Sequence, residues 1–282
     1  MKPIAVTQVV KQGKRAKYFG KDCYPDKYAF EPHVVDPNDS ELISEEGENI
    51  PRGRVGTMVD LLTRAHLVES AADEIFNVTK EGWNKYKAEH KLSDDKVFEE
   101  SLENVGRALD YEVPVSGLPE NFFQAGEWLA EFANIRRSNG RVFTRPEDEP
   151  GHINQTTINH VKQMLARAEA FFTAYGEPTQ ANFHVASQYD TFFGDGDYLT
   201  PKHLIDFKVS MKDPRDTTDY RLQVGIYYAL GKEEHQYSEF ETIKDLILFN
   251  PRTNTAYVAD VNNEKAHITE IQEKIAYWEQ QN

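Results

Sequence analysis

The stretch from Gly194 to Ser210 constrains the fold more than any other. It reads Gly-Asp-Gly-Asp-Tyr-Leu-Thr over 194–200, then Pro201-Lys202, then His-Leu-Ile-Asp-Phe-Lys-Val-Ser over 203–210. Two short apolar runs joined by a turn predict paired strands. On the second run Asp206 and Lys208 are two apart, so they share a face, and Phe207 points to the other. Asp197 enters from the neighbouring strand. The pattern therefore gathers two carboxylates and one ammonium in one patch, although acids are depleted in apolar strands. Two carboxylates can hold a hard divalent cation through oxygen. A lysine can orient or deprotonate a water and offset charge on a phosphoryl group. Metal-assisted phosphodiester hydrolysis requires this set. Asp195 is the rival for Asp197. It lies two residues away, with Gly196 making the backbone between them pliable. Asp197 is preferred because it leads into apolar Tyr198-Leu199, and Asp195 is expected behind it.

These residues resemble the PD-(D/E)XK nuclease superfamily, in its RecB-like and lambda-exonuclease-like branch. Asp197 matches the first acidic position and Asp206-Phe207-Lys208 the (D/E)XK tripeptide. Gln223-Val224-Gly225-Ile226-Tyr227 matches the Gln-hydrophobic-X-X-Tyr motif. Gly196 stands where the family name has proline. The resemblance covers roughly the last 130 residues of the chain. It implies an α/β fold with a mixed sheet, a restriction-endonuclease-like αβββαβ core, and Mg2+ or Mn2+ as cofactor. It also implies DNA as substrate, with Asp197 and Asp206 as metal ligands, the Phe207 carbonyl as a further one, and Lys208 as catalytic. The first core helix of the superfamily often adds an acid or a histidine. His160 and Glu169 are the candidates here. Ile158, Val161, Leu165, Ala168 and Phe172 form one stripe on a helical wheel. Glu169 falls inside or beside that stripe and His160 well away from it, so Glu169 is the favoured third ligand. Gln223 and Tyr227, four apart on one helix face, are expected to bond the lysine, a phosphate or the DNA end.

The αβββαβ order also follows from pattern alone. A helix is predicted over 156–175, strands over 183–187, 196–200 and 203–209, and a helix over 221–230. Strands over 246–249 and 256–259 and a helix over 268–277 follow. Residues 1–35 read as extended, with Ile4–Val10 as a β-like run and a basic turn after it. Residues 36–54 read as a loop. Helical spacing begins at Val55 and runs through Met58, Leu61, Leu62, Ala65, Val68 and Ala72. A second helix through Val97, Leu102, Val105 and Leu109 takes Ser93 as its N-cap, and a third runs from Phe122 to Arg137. Residues 139–154 read as a connector. The expected division is a partly helical region over 1–150 that covers a nuclease core over 151–282.

No apolar run reaches the roughly 18 residues that cross a membrane. The start, Met1 to Val6, lacks a signal-peptide core. The lone cysteine, Cys23, excludes internal disulfides and a four-cysteine iron–sulfur cluster, and suits a reducing cytoplasm. Net charge is −15, which does not suit binding nucleic acid over the whole surface. The charge is uneven, however. Residues 1–21 carry Lys2, Lys11, Lys14, Arg15, Lys17 and Lys21 with no acid. Lys202, Lys212, Arg215 and Arg221 surround the motif and are the expected DNA contacts. Tyr18, Phe19, Tyr24 and Tyr28 read as packing residues, with base stacking as the other role. His184 reads as structural. The competing function is a non-catalytic interaction protein whose acidic body mimics DNA.

Overall fold

A computed structural model of the chain describes residues 2–67, 71–110, 113–137 and 151–281. The chain divides into two compact units. One is Leu42–Ala170, and the other joins Met1–Glu41 to Phe171–Asn282. This replaces the expected division at residue 150. Strand pairing is the cause: Ile4–Ala5 pairs in parallel with 192–193, and Glu31–Val34 pairs antiparallel with 255–258.

The N-terminal segment is less extended than its valines suggest. Only β1 (Ile4–Ala5) and β2 (Glu31–Val34) are strands, while α1 (Val6–Val9) and α2 (Gln12–Tyr18) are helical. The reason is visible in burial. Val6, Val9 and Val10 are buried and Thr7 and Gln8 exposed, which is the helical period. Packing on one side overrides the β-branched preference of the individual residues. Tyr18 and Phe19 are buried. Tyr18 meets Trp278 edge-on at 5.1 Å and Phe19 meets Phe192 at 5.6 Å. Cys23 is buried, and burial pushes its thiol up to about 11.

The helical unit holds α3 (Arg52–Leu67), α4 (Ala71–His90), α5 (Lys96–Asp110) and α6 (Glu120–Arg137). It also holds most of α7 (Gln155–Tyr175). Trp83 of α4 stacks on Phe98 of α5 at 5.9 Å and meets Phe132 of α6 at 5.2 Å. The buried Arg54 guanidinium reaches Glu127 at 3.2 Å and Glu131 at 3.0 Å. Ser93 is not the N-cap of α5, which starts at Lys96. The Asp94 carboxylate accepts the Lys96 N–H at 3.3 Å instead. Asn154 caps α7 by accepting the Thr157 N–H at 2.8 Å. Val68 and residues 139–150 of the connector lie outside the described residues, as do the side chains of Ala72 and Leu109.

The sheet unit continues with β3 (Gln180–Ala181), β4 (His184–Ala186), β5 (Phe192–Asp195), β6 (Tyr198–Leu199) and β7 (His203–Phe207). Next come α8 (Thr218–Glu234), β8 (Asp245–Asn250), β9 (Thr255–Asp260) and α9 (Lys265–Glu279). One sheet has the order β1-β5-β4 and the other β2-β9-β8-β7-β6-β3. The β7–β8 pair is parallel, and its crossover is α8, as a parallel pair demands. The other ladders of the six-stranded sheet are antiparallel. The fold is thus mixed α and β with mixed sheets. The segments 180–186 and 192–199 are one bent hairpin arm. Gly196 N–H bonds the Phe183 carbonyl at 2.9 Å, and Asn182 N–H bonds the Asp197 carbonyl at 2.7 Å. The bend sends β4 and β5 to one sheet and β3 and β6 to the other. The core beneath α8 and α9 includes Leu204, Leu222, Tyr227, Leu248 and Ile271. Among the described residues no helix is long and apolar enough to cross a membrane.

Candidate active site

Alternation along β7 sorts its side chains onto two faces. Phe207 packs among Phe171, Phe172, Tyr198 and Phe249, with ring centroids 4.8–6.1 Å away. Asp206 and Lys208 take the opposite face, toward α8. Asp206 is 1% exposed, and a charge so buried needs a partner. Lys208 supplies it as an ion pair.

Gln223 of α8 ties the pair together. Its Oε1 accepts from Lys208 Nζ at 3.4 Å, and its Nε2 donates to Asp206 Oδ1 at 3.3 Å and to Tyr227 Oη at 2.9 Å. Burial, reinforced by the Asp206 charge, holds the Tyr227 phenol well above its usual range. It therefore stays neutral. Burial works against the charged form of Lys208, but the Asp206 and Asp197 carboxylates outweigh it and raise the ammonium above the ordinary lysine range.

Asp197 sits just past the bend of the hairpin arm. Its Oδ2 accepts the Phe207 N–H at 2.7 Å, which pins the carboxylate to the strand that carries Asp206 and Lys208. Asp195 is exposed and pairs with His184 across the β4–β5 ladder at 2.8 Å. The geometry thus distinguishes the two acids, and Asp197 is the one against β7. Gly196 makes the bend possible, because a Cβ there would fall inside the Phe183 ring. Gly196→Ala is expected to cost about 1–3 kcal/mol in overpacking. It should also displace Asp197 from the Phe207 N–H. Thermal melting checks this, and an unchanged melting temperature would show that the Phe183 ring yields to the added methyl.

Two residues that the sequence reading passed over complete the arrangement. Tyr220 places its ring 4.6 Å from Lys208 Nζ. Asn250, fully buried at the end of β8, donates to the Ser210 carbonyl at 2.7 Å and accepts its N–H at 3.3 Å. It fixes the chain just beyond Lys208. The spacing of Tyr220 three before Gln223 was the available signal. Asn250 had none, since its partner lies 40 residues away.

The basic residues around the motif separate into three kinds. Arg215 chelates Asp213 at 2.7–3.1 Å, donates to the Phe30 carbonyl at 3.2 Å and lies over the Tyr257 ring at 5.0 Å. Arg221 donates to the carbonyls of Arg215 and Pro25 and to Thr218. Both arginines hold backbone in place. Lys202 precedes β7 and so lies at the opposite end of the strand from Lys208, about 20 Å away at 3.3 Å per residue. Its side chain is exposed. Lys212, also exposed, follows Lys208 in the loop, where its N–H donates to Ser210 Oγ at 3.0 Å.

Glu169 belongs to the helical unit, where its Oε1 lies 2.6 Å from His66 Nε2 with the side chain 37% exposed. His160 Nδ1 lies 3.0 Å from Glu48 Oε1 in the same unit. The set gathered within the sheet unit is therefore Asp197, Asp206, Lys208, Gln223 and Tyr227. Among the described residues no three His, Cys, Asp or Glu side chains cluster as a metal centre. Two carboxylates beside one ammonium nevertheless fit a hard divalent cation. They are oxygen donors in charge excess, and magnesium is commonly held by one or two carboxylates together with water and substrate oxygens. Comparison of the chain with protein-family models, with curated proteins and with solved structures found no match.

Proposed function

We propose that this chain is a Mg2+- or Mn2+-dependent deoxyribonuclease on a restriction-endonuclease-like αβββαβ core, acting in DNA repair, recombination or phage–host conflict. The observation that carries the reading is the convergence of Asp197, Asp206 and Lys208 at one end of β7, tied by Gln223 to Tyr227. The chain order α7, bent hairpin, β7, α8, β8, with β8 parallel to β7, supports the core assignment.

In this reading Asp197, Asp206 and the Phe207 carbonyl hold the cation. When bound, the cation supplies an activated water and a Lewis acid for the phosphoryl oxygens. Lys208 hydrogen-bonds the attacking water or a phosphate oxygen and offsets charge that grows in the transition state. Gln223 keeps Lys208 aimed, and neutral Tyr227 keeps Gln223 oriented. A net charge of −15 favours the competing reading, an acidic interaction protein. That role does not need an ammonium buried between two carboxylates. Incubation with linear, circular and single-stranded DNA decides between them. The nuclease cleaves at least one form with Mg2+ or Mn2+ and none with chelator. The mimic leaves every form intact and binds none at low salt.

A further inference from the structure

The six cations of residues 1–21 come before the first acid, Asp22. Lys11, Lys14, Lys17 and Lys21 are all exposed. Arg15, between them, is not: it forms an ion pair with Asp219 and lies over the Tyr24 ring at 5.1 Å. Asp219 stands four residues before Gln223, so the two stack on one face of α8, one turn apart. That face touches Lys208 and Asp206. Arg15 therefore docks α2 at the rim of the site, one helical turn from the residue that holds the lysine. Two further bonds secure the same segment, Lys27 to Asp216 and the Arg221 guanidinium to the Pro25 carbonyl. A lysine-bearing, acid-free helix clamped beside a cluster of carboxylates is an unusual placement for charge in an acidic chain. Lysines without ion-pair partners among the described residues gain most from a polyanion, whose condensed counterions are released on binding.

We infer that Lys11 and Lys14 of the α2 segment, with Lys17 beside them, form the surface that carries the DNA backbone to the site. The inference rests on the nuclease reading for the identity of the substrate. It explains how a chain of net charge −15 can engage a polyanion. Binding is confined to one basic strip at the mouth, and the acidic remainder repels DNA elsewhere. Arg15 is the anchor of this strip and not a contact, because its guanidinium is spent on Asp219.

The test compares two double charge reversals of equal net charge. One is Lys11→Glu/Lys14→Glu. The other, Lys202→Glu/Lys244→Glu, lies at the far end of β7 and β8, where the Lys244 N–H bonds the Lys202 carbonyl at 2.7 Å. Circular dichroism establishes that each is folded. Polarisation of fluorescein-labelled single- and double-stranded DNA is then titrated at several salt concentrations with chelator present. Lys11→Glu/Lys14→Glu should weaken binding about tenfold or more and flatten the log–log salt slope by about 1.8 on duplex, two contacts at 0.9 each. The distant pair should change affinity less than about twofold on the same basis. Equal losses in both pairs would mean that bulk charge alone matters and would overturn the inference. So would wild-type affinity in Lys11→Glu/Lys14→Glu. If that variant binds normally while the wild type cleaves DNA with metal, the surface is wrong and the nuclease reading stands. If the binding losses appear as expected but no DNA form is ever cleaved, the surface stands and the nuclease reading falls.

Discussion

Asp206→Asn should abolish metal-dependent DNA cleavage, with a loss of more than about a thousandfold, because it removes a negative oxygen donor from the only buried carboxylate of the tripeptide. It should also destabilise the apo chain. From sequence, two neighbouring carboxylates repel, and removing one would raise the melting temperature. The structure reverses the sign. Asp206 is the ion-pair partner of Lys208, with side chains 2% and 13% exposed. Deleting one partner of a buried pair leaves an uncompensated charge and costs about 3–5 kcal/mol. Melting should therefore fall by several degrees. Asp206→Asn/Lys208→Met should recover much of that loss, since both charges go together, while remaining inactive. A single Asp206→Asn variant that cleaves at the wild-type rate would remove Asp206 from the site.

Lys208→Met should separate chemistry from metal binding. The methionine fills much of the lysine volume without the ammonium. Turnover should fall about a hundred- to a thousandfold, since the lost interaction acts on charge in the transition state. Affinity for Mn2+ should be retained or increased, because Lys208 is an ion-pair partner of Asp206 and competes with a cation for that carboxylate. The apo variant carries Asp197 and Asp206 without their shared ammonium. Added Mn2+ should therefore raise its melting temperature more than it raises that of the wild type. Calorimetric titration that shows metal affinity collapsing in Lys208→Met would make the lysine structural.

The parts of this site that were legible in the sequence are those set by local period. Asp206 and Lys208 share a face because strands alternate, and Phe207 marks the other face by its need for burial. Gln223 and Tyr227 meet because helices repeat at four. The preference for Asp197 over Asp195 depended on where the hairpin bends, which the Gly196–Phe183 contact decides. What local period cannot carry was misread or missed. The valines of residues 6–10 look like a strand until one sees that only Val6, Val9 and Val10 are covered. Arg215 and Arg221 stand out by charge alone, and charge says nothing about which backbone carbonyls lie nearby; theirs include those of Phe30 and Pro25. Glu169 finds His66, 103 residues earlier, a pairing that only the packing of the helical unit reveals.

Single-turnover cleavage of end-labelled DNA across a Mn2+ titration tests the central claim most directly, with wild type, Asp206→Asn and Lys208→Met run side by side. The wild-type rate should rise from zero in chelator and saturate. Lys208→Met should saturate at a similar or lower Mn2+ concentration with a plateau about a hundredfold or more below. Asp206→Asn should show no saturable rate. A wild-type rate indifferent to Mn2+, or an Asp206→Asn curve superimposed on that of the wild type, would contradict the assignment of these residues as a metal-dependent hydrolytic centre.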